Sequence, residues 1–185
     1  MPAGASAPLK HPSFLLFVLS RAFSRFSGQI AAVAVGWQIY DLTGSAFDLG
    51  MVGLVQFLPT ALLVFAAGHA VDRYERKRVV QICLIVEALT ALLLAWGAYA
   101  GSLTVPEIFV AMAVLGTAGA FESPATAALL PLVAPPGSLQ RATAISSGVG
   151  QIATITGPAL GGLAYVVSPA LPTPSWWRSA SRAPS

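Results

Sequence analysis

Long blocks of apolar residues, separated by short polar segments, make up most of this sequence. No Asp, Glu, Lys or Arg occurs from Leu49 to Val71, or from Ala142 to Trp177. Uncharged apolar runs of about 18 or more residues are typical of helices that cross a membrane. The short alternation of apolar and polar residues that a soluble core would show is missing. The pattern therefore predicts an all-α membrane protein.

Polar segments divide the apolar blocks into about five predicted spans. Asp41–Ser45 has the composition of a turn, and the charged segment Asp72–Arg78 separates the second block from the third. Three prolines lie in the segment 125–140, which predicts a loop with a short surface helix over Thr126–Leu130. The predicted spans are residues 14–40, 49–71, 79–99, 105–121 and 142–167. Residues 1–12 and 168–185 are predicted to be disordered tails.

The composition excludes most other classes of protein. Only 9% of the residues are charged, whereas a soluble domain needs roughly 25% to cover its surface. The net charge of +3 is modest and does not indicate nucleic-acid binding. No metal-ligand cluster, nucleophile elbow or phosphate-binding loop is present, and His11 and His69 lie too far apart to suggest a site. We expect no enzymatic activity, no metal and no cofactor, and we interpret the lone Cys83 as a small apolar side chain.

The positions of the basic residues predict the orientation of the chain in the membrane. Basic residues accumulate in cytoplasmic connections, and the segments Asp41–Asp48 and Gly101–Thr104 contain no Lys or Arg. An N-terminus on the cytoplasmic side places the basic residues of the other connections inside the cell. These residues are Lys10, Arg73, Arg76, Lys77, Arg78 and Arg141.

The strongest local signal is the short connection between the second and third spans. It carries one carboxylate, Asp72, beside a run of basic residues that ends at Arg78, and the carboxylate can pair with a neighbour or cap a helix. Charge alone does not distinguish a functional motif from an ordinary cytoplasmic loop. The spacing does, because it resembles the loop motif Gly-x-x-x-Asp-Arg-x-Gly-Arg-Lys/Arg of the major facilitator superfamily. The matching residues are Gly68, Asp72, Arg73, Arg76 and Lys77, while Glu75 stands where most members have Gly.

A second motif, in the fifth span, also resembles this superfamily. The residues Gly157, Pro158, Gly161 and Gly162 are similar to the Gly-Pro-x-x-Gly-Gly signature in the fifth helix of its exporters. Proline removes a backbone hydrogen bond and glycine permits close packing, so the segment predicts a helix that bends or slides. A packing face with no role in movement is an equal alternative. Pro59 holds a similar position in the second span.

The resemblance covers about residues 14–167 and implies a fold and a function. Segments such as Trp37–Ser45 are similar to the drug- and siderophore-exporter branch that includes the enterobactin exporter. The family fold has two six-helix halves that alternate access to a central substrate site. The chain would supply most of the first half, as a truncated part of a proton- or ion-coupled exporter of a small molecule in the plasma membrane. The alternative is a small membrane protein that assembles with another chain and does not transport by itself.

Charged residues inside the predicted spans are the candidates for a cavity. Arg21, Arg25 and Gln29 recur every four residues and so share one face of the first span. An Arg at mid-bilayer costs about 2.5–3.5 kcal/mol on insertion scales, so this face should contact protein or water. In the resembled family the first helix lines the central cavity, which implies that Arg25 and Gln29 face the substrate path. If the helix starts later, both arginines lie instead in the headgroup region.

Glu87 is the fourth cavity candidate, in the third span. A lone carboxylate in a membrane must be paired or protonated. We therefore expect either a bond to Arg25 or Arg21, or a role in proton relay. Glu107 and Glu122, at the two ends of the fourth span, are predicted to be interfacial. Many antiporters of the family carry an Arg within the fourth helix, and residues 108–121 contain none, which argues against proton coupling through that group.

Overall fold

The computed structural model of the protein describes residues 11–167, with side chains up to residue 163. The tails that we predicted to be disordered therefore lie almost entirely outside the described residues. The described part consists of five long α-helices and contains no strand. The helices are α1 (Pro12–Thr43), α2 (Ala46–Arg73), α3 (Arg76–Ala100), α4 (Val105–Val133) and α5 (Leu139–Val167). The predicted all-α fold of five helices is confirmed.

Local capping signals fix where the helices end. Gly44 ends α1 in the left-handed conformation, with φ 62°, and its N–H donates to the carbonyl of Tyr40 at 2.8 Å. Ser45 then caps α2 by accepting a hydrogen bond from the Asp48 amide at 3.3 Å. At the start of α4, Thr104 and Glu107 form a capping box, in which the amide and the hydroxyl of Thr104 both donate to Oε2 of Glu107 at 2.8 Å. Each of these connections is consequently only a few residues long.

The predicted end of the fourth span was wrong. Helix α4 does not stop before Glu122 but continues through Pro124 and Pro131 to Val133, so the predicted loop shrinks to residues 134–138. A proline inside a helix costs about 3 kcal/mol. Helix-favouring alanines surround Pro124, and Ala125 and Thr126 are buried against the bundle. This packing offsets the lost backbone hydrogen bonds, so tertiary contacts override the local signal.

Helix packing places the apolar core at the two ends of the bundle. Helix α4 packs along both α2 and α3, while α5 packs along α1. We call the end that carries the α2–α3 connection the basic end, and the other the opposite end. At the basic end, the buried Phe14 and Val18 of α1 contact Ala142 of α5. A larger cluster, which includes Ile39 and Ile108, joins α1 to α4 at the opposite end.

Apolar residues also cover the outside of the bundle. Phe65, for example, is 89% exposed, whereas the side chain of Glu122 is only 13% exposed. Helices α2, α3 and α4 are long and apolar enough to cross a bilayer by length and composition. Helices α1 and α5 are as long, but within the described residues neither has a stretch of comparable length and apolar composition. An apolar surface around partly buried charges is the distribution expected when lipid is the solvent.

Candidate functional site

The α2–α3 connection contains the first group of candidate residues. Helix α2 ends at Arg73 and α3 begins at Arg76, so only Tyr74 and Glu75 lie between them. The connection is stabilised locally, because the Tyr74 amide donates to the carbonyl of Ala70 at 2.9 Å. Such a short connection makes α2 and α3 antiparallel, although both helices pack mainly against α4 rather than against each other.

The charges of this connection are arranged differently from what the sequence suggests. Asp72 lies in the last turn of α2, is exposed, and makes no hydrogen bond or ion pair with the other residues between 11 and 167. The N-cap of α3 is Glu75, whose carboxylate pairs with Arg78 at 2.6 Å. Asp72 therefore neither caps α3 nor pairs with Arg73 or Arg76 in this conformation.

A polar cluster inside the bundle is the second group. The hydroxyl of Ser24, on α1, donates to Oε2 of Glu87 on α3 at 3.2 Å. One turn before Ser24, the guanidinium of Arg21 lies 3.8 Å from Oε1 of Glu122 on α4. The hydroxyl of Thr126 donates to the same oxygen at 3.4 Å. At 1.5 Å per residue, these groups lie about 10–18 Å from the basic end along their helices.

The cluster answers the question of what Glu87 bonds to. Its hydrogen-bond donor among the described residues is Ser24, not Arg21 or Arg25, so the expected arginine partner was wrong. Arg21 pairs instead with Glu122, which is not interfacial as predicted but faces α1 with a side chain only 13% exposed. Atom Nη1 of Arg21 is buried and makes no hydrogen bond within the described part of the chain.

Arg25 and Gln29 continue the polar face of α1 beyond this cluster. Arg25 is half-buried and interacts electrostatically with Glu87, but no hydrogen bond or ion pair joins it to another residue of the described bundle. Gln29 lies against α5, where a Cβ built on Gly157 would be 2.5 Å from the Cβ of Gln29. The structure therefore brings Arg21, Arg25 and Glu87 into one neighbourhood, while Gln29 belongs to the α1–α5 contact.

The glycine and proline motif of α5 divides into two faces. Gly157 and Gly161 are buried against α1, and a Cβ on Gly161 would lie 3.2 Å from the Cβ of Val33. Pro158 is exposed, and a Cβ on Gly162 would meet nothing within 4 Å. Half of the motif thus permits close packing of α1 on α5, while the other half points away from that contact.

A closer contact, which was not predicted from the sequence, joins α2 to α4. A Cβ built on Gly116 would overlap the carbonyl group of Gln56, at 2.9 Å from its carbon. The hydroxyl of Thr60 crosses the same contact and donates to the Gly116 carbonyl at 3.0 Å. Pro59 lies beside this contact on α2. Gly116 is a single glycine outside any motif, so only the packing of α2 on α4 shows its role.

Three residues of the polar cluster were not predicted from the sequence as part of a site, namely Ser24, Glu122 and Thr126. Ser24 could have been found, because it lies three residues after Arg21 and so shares its side of the helix. Glu122 and Thr126 were placed outside the fourth span by the wrong helix end. Continuing that helix through Pro124 would have placed both of them on one helical face.

Comparisons with known proteins agree on the family. Macrolide efflux protein A of Streptococcus pyogenes is 30% identical over 147 residues, which cover 80% of this chain and 36% of that protein. Multidrug efflux pump Tap of Mycolicibacterium fortuitum is 32% identical over 161 residues, which cover 80% of this chain and 38% of that protein. This chain thus spans less than two-fifths of the length of these relatives. No solved structure matches it.

The family itself is shown by a match that covers nearly the whole bundle. The sequence profile described as Major Facilitator Superfamily matches residues 17–181, which include almost all of α1 and the whole of α2 to α5. The resemblance carried by the two sequence motifs is thereby confirmed at the level of the superfamily. We conclude that this chain belongs to the Major Facilitator Superfamily of membrane transporters.

Proposed function

We propose that this bundle is part of a secondary-active exporter that expels a small molecule by alternating access, driven by protons or another ion. Membership of the superfamily implies transport across a bilayer rather than catalysis. The two relatives described above are named for macrolide and multidrug efflux, which supports export. Because the chain matches little more than a third of each relative, we propose that transport needs a second helical bundle facing this one.

The observation that carries the proposal is the polar cluster within the bundle. Arg21, Glu87 and Glu122 lie on three different helices and meet inside an otherwise apolar assembly. Charged groups inside membrane segments are costly, and they usually mark substrate or ion pathways. A purely structural bundle would not need them, because apolar packing at both ends already joins the helices.

Each group of residues has a role in this proposal. Arg25, which is half-buried and makes no hydrogen bond or ion pair among residues 11–167, faces the substrate path, and Gln29 borders the path from the α1–α5 contact. Glu87 accepts one hydrogen bond, from the Ser24 hydroxyl, and its carboxylate can take up and release a proton, which makes it the candidate for ion coupling. Asp72 and the basic residues around it form a cytoplasmic gate, whose partner lies on the second bundle. The glycines of α5 let that helix bend or slide against α1.

The orientation and the substrate are parts of the same proposal. An N-terminus in the cytoplasm places the basic end inside the cell, in agreement with the positive-inside rule. The two relatives are bacterial, which supports a bacterial cytoplasmic membrane. Their names favour a drug-like substrate, and they give no specific support to the enterobactin-exporter branch. That narrower resemblance stays a prediction.

An efflux assay in a macrolide-sensitive bacterium tests the proposal. Cells would be loaded with a radiolabelled macrolide or with ethidium, and retention would be measured with and without a protonophore. A hybrid that joins this bundle to the remainder of a macrolide efflux relative should lower retention, and the protonophore should abolish the effect. The chain alone should leave retention unchanged. A hybrid that reaches the membrane but never lowers retention contradicts the proposal.

Two arginine variants of the hybrid test the proposed path. Arg25→Leu should reduce the efflux rate sharply, because it removes the charge that faces the path. Arg141→Leu is the matched control, since Arg141 is exposed at the start of α5. Equal rates for Arg25→Leu and the unaltered hybrid would remove Arg25 from the path. If the chain alone crosslinks into a defined dimer and neither the chain nor the hybrid lowers retention, the alternative role as an assembly partner is favoured.

A further inference from the structure

A groove on the outside of the bundle combines an apolar interior with a basic mouth. It lies between α3 and α4, has a volume of about 770 Å³, and reaches the basic end at Tyr74 and Arg78. Its interior extends as far as Val86 on α3 and Val110 on α4. The distance from Arg78 to Val86 along the helix is about 12 Å at 1.5 Å per residue. That length accommodates a substantial part of one extended acyl chain.

Small side chains at the bottom of the groove create the hollow. Cys83 and Ala118 are buried there, while Ile82 and Val110 are exposed along its sides. The hydroxyl of Thr117, a polar group in the lining, donates at 2.8 Å to the carbonyl of Ala113 in its own helix. That hydroxyl is therefore already satisfied, and the groove favours a hydrocarbon chain over a polar ligand.

The mouth of the groove carries a positive charge that a headgroup can use. Arg78 is 77% exposed, and its Nε pairs with Glu75, which also lines the groove. Residues 72–78 contain four basic and two acidic side chains. Tyr74, also at the mouth, is an aromatic residue with a polar tip, a type that is enriched at the level of lipid headgroups.

From this combination we infer that the α3–α4 groove binds an anionic phospholipid, with an acyl chain along Cys83 and Ala118 and its phosphate against Arg78. Charge complementarity selects this occupant, because basic side chains outnumber acidic ones in residues 72–78 at the mouth, and an apolar helix offers no anionic group to pair with them. Basic residues at a membrane surface attract anionic lipids in the same way. The inference depends on the bundle lying in a membrane and does not depend on transport.

Lipid titration of the purified chain tests the inference. Native mass spectrometry in detergent would follow the binding of dioleoylphosphatidylglycerol, dioleoylphosphatidylcholine and glycerol 1-phosphate. We expect the first lipid to bind at least about fivefold more tightly than the second, as one basic contact with an anionic headgroup implies. Glycerol 1-phosphate should not bind, because it has no acyl chain. Equal affinities for the two lipids would overturn the inference.

A pair of charge variants distinguishes a defined site from general attraction to basic residues. Arg78→Gln should weaken phosphatidylglycerol binding about fivefold. Lys77→Gln removes a charge from the neighbouring residue, which does not line the groove, and should weaken binding less than about twofold. Equal losses for the two variants would show a diffuse surface effect and refute the site.

A second pair of variants tests the acyl-chain part of the groove without altering charge. Ala113→Leu fills the groove from within, and it should weaken the binding of both lipids. Ala61→Leu adds the same volume at an exposed position of α2 outside the groove, so lipid binding should stay unchanged. If Ala113→Leu and Ala61→Leu bind lipid alike, the acyl chain does not lie in this groove.

Discussion

Replacing Gly116 with alanine should force α2 and α4 apart, because the new methyl group has no space. Its Cβ would lie 2.9 Å from the carbonyl carbon of Gln56 and closer still to the carbonyl oxygen. Both atoms belong to the backbone of α2, so no side-chain rotation can relieve the overlap. Carbon–carbon contacts are optimal at about 3.5–4.0 Å, so the two helices must separate by at least about 0.6 Å.

The expected loss of stability follows from the same contact. Overfilling a packed interior costs about 1–3 kcal/mol, and a backbone clash belongs at the upper end of that range. The separation also stretches the hydrogen bond from Thr60 to the Gly116 carbonyl, which is 3.0 Å long. Such a bond between membrane helices contributes about 0.6 kcal/mol on average. The better helix propensity of alanine returns up to about 1 kcal/mol, so we expect a net loss of about 2–3 kcal/mol.

The assay is unfolding of the purified chain in mixed micelles, followed by circular dichroism as the denaturing detergent is increased. Gly119→Ala is the control, because Gly119 lies on the same helix and a Cβ there would meet nothing within 4 Å. Gly119→Ala should unfold at the same or a higher detergent fraction than the unaltered chain, and Gly116→Ala at a clearly lower one. Coincident curves for the two variants would refute the close approach of α2 and α4.

Three further predictions use the same unfolding assay. Gly157→Ala should destabilise the α1–α5 contact by about 1–2 kcal/mol, because its Cβ would meet the side chain of Gln29 rather than a backbone atom first. Gly162→Ala should leave the stability unchanged. A larger loss of stability for Gly162→Ala than for Gly157→Ala would contradict the packing described. Arg21→Met should cost roughly 3 kcal/mol, because it leaves the Glu122 carboxylate unpaired. The double variant that also carries Glu122→Met should regain most of that stability, and additive losses would mean that the pair is not coupled. Ser45→Ala removes the N-cap of α2 and should cost about 1 kcal/mol; an unchanged midpoint would show that the hydroxyl does not contribute.

Much of the fold could be predicted from the sequence because its determinants are local. The average hydrophobicity of a span indicates whether water or lipid surrounds the helix. Gly44 and Gly101 mark helix ends because each adopts a backbone conformation with positive φ. The loop motif could be recognised because its spacing lies within one short segment. The end of α4 could not be predicted in this way, since Pro124 signals a break and only the burial of Ala125 and Thr126 overrides it.

The partners within the candidate site were decided by the tertiary structure. The sequence by itself determined that Arg21, Arg25 and Gln29 share one face of α1, and that lipid surrounds the helices. It did not determine that Arg21 meets Glu122 or that Ser24 holds Glu87, because each pair depends on the rotation and depth of two helices far apart along the chain. Helices exposed to lipid gain little from one rotation over another by hydrophobicity alone, so close contacts of small residues and polar pairs set their mutual arrangement.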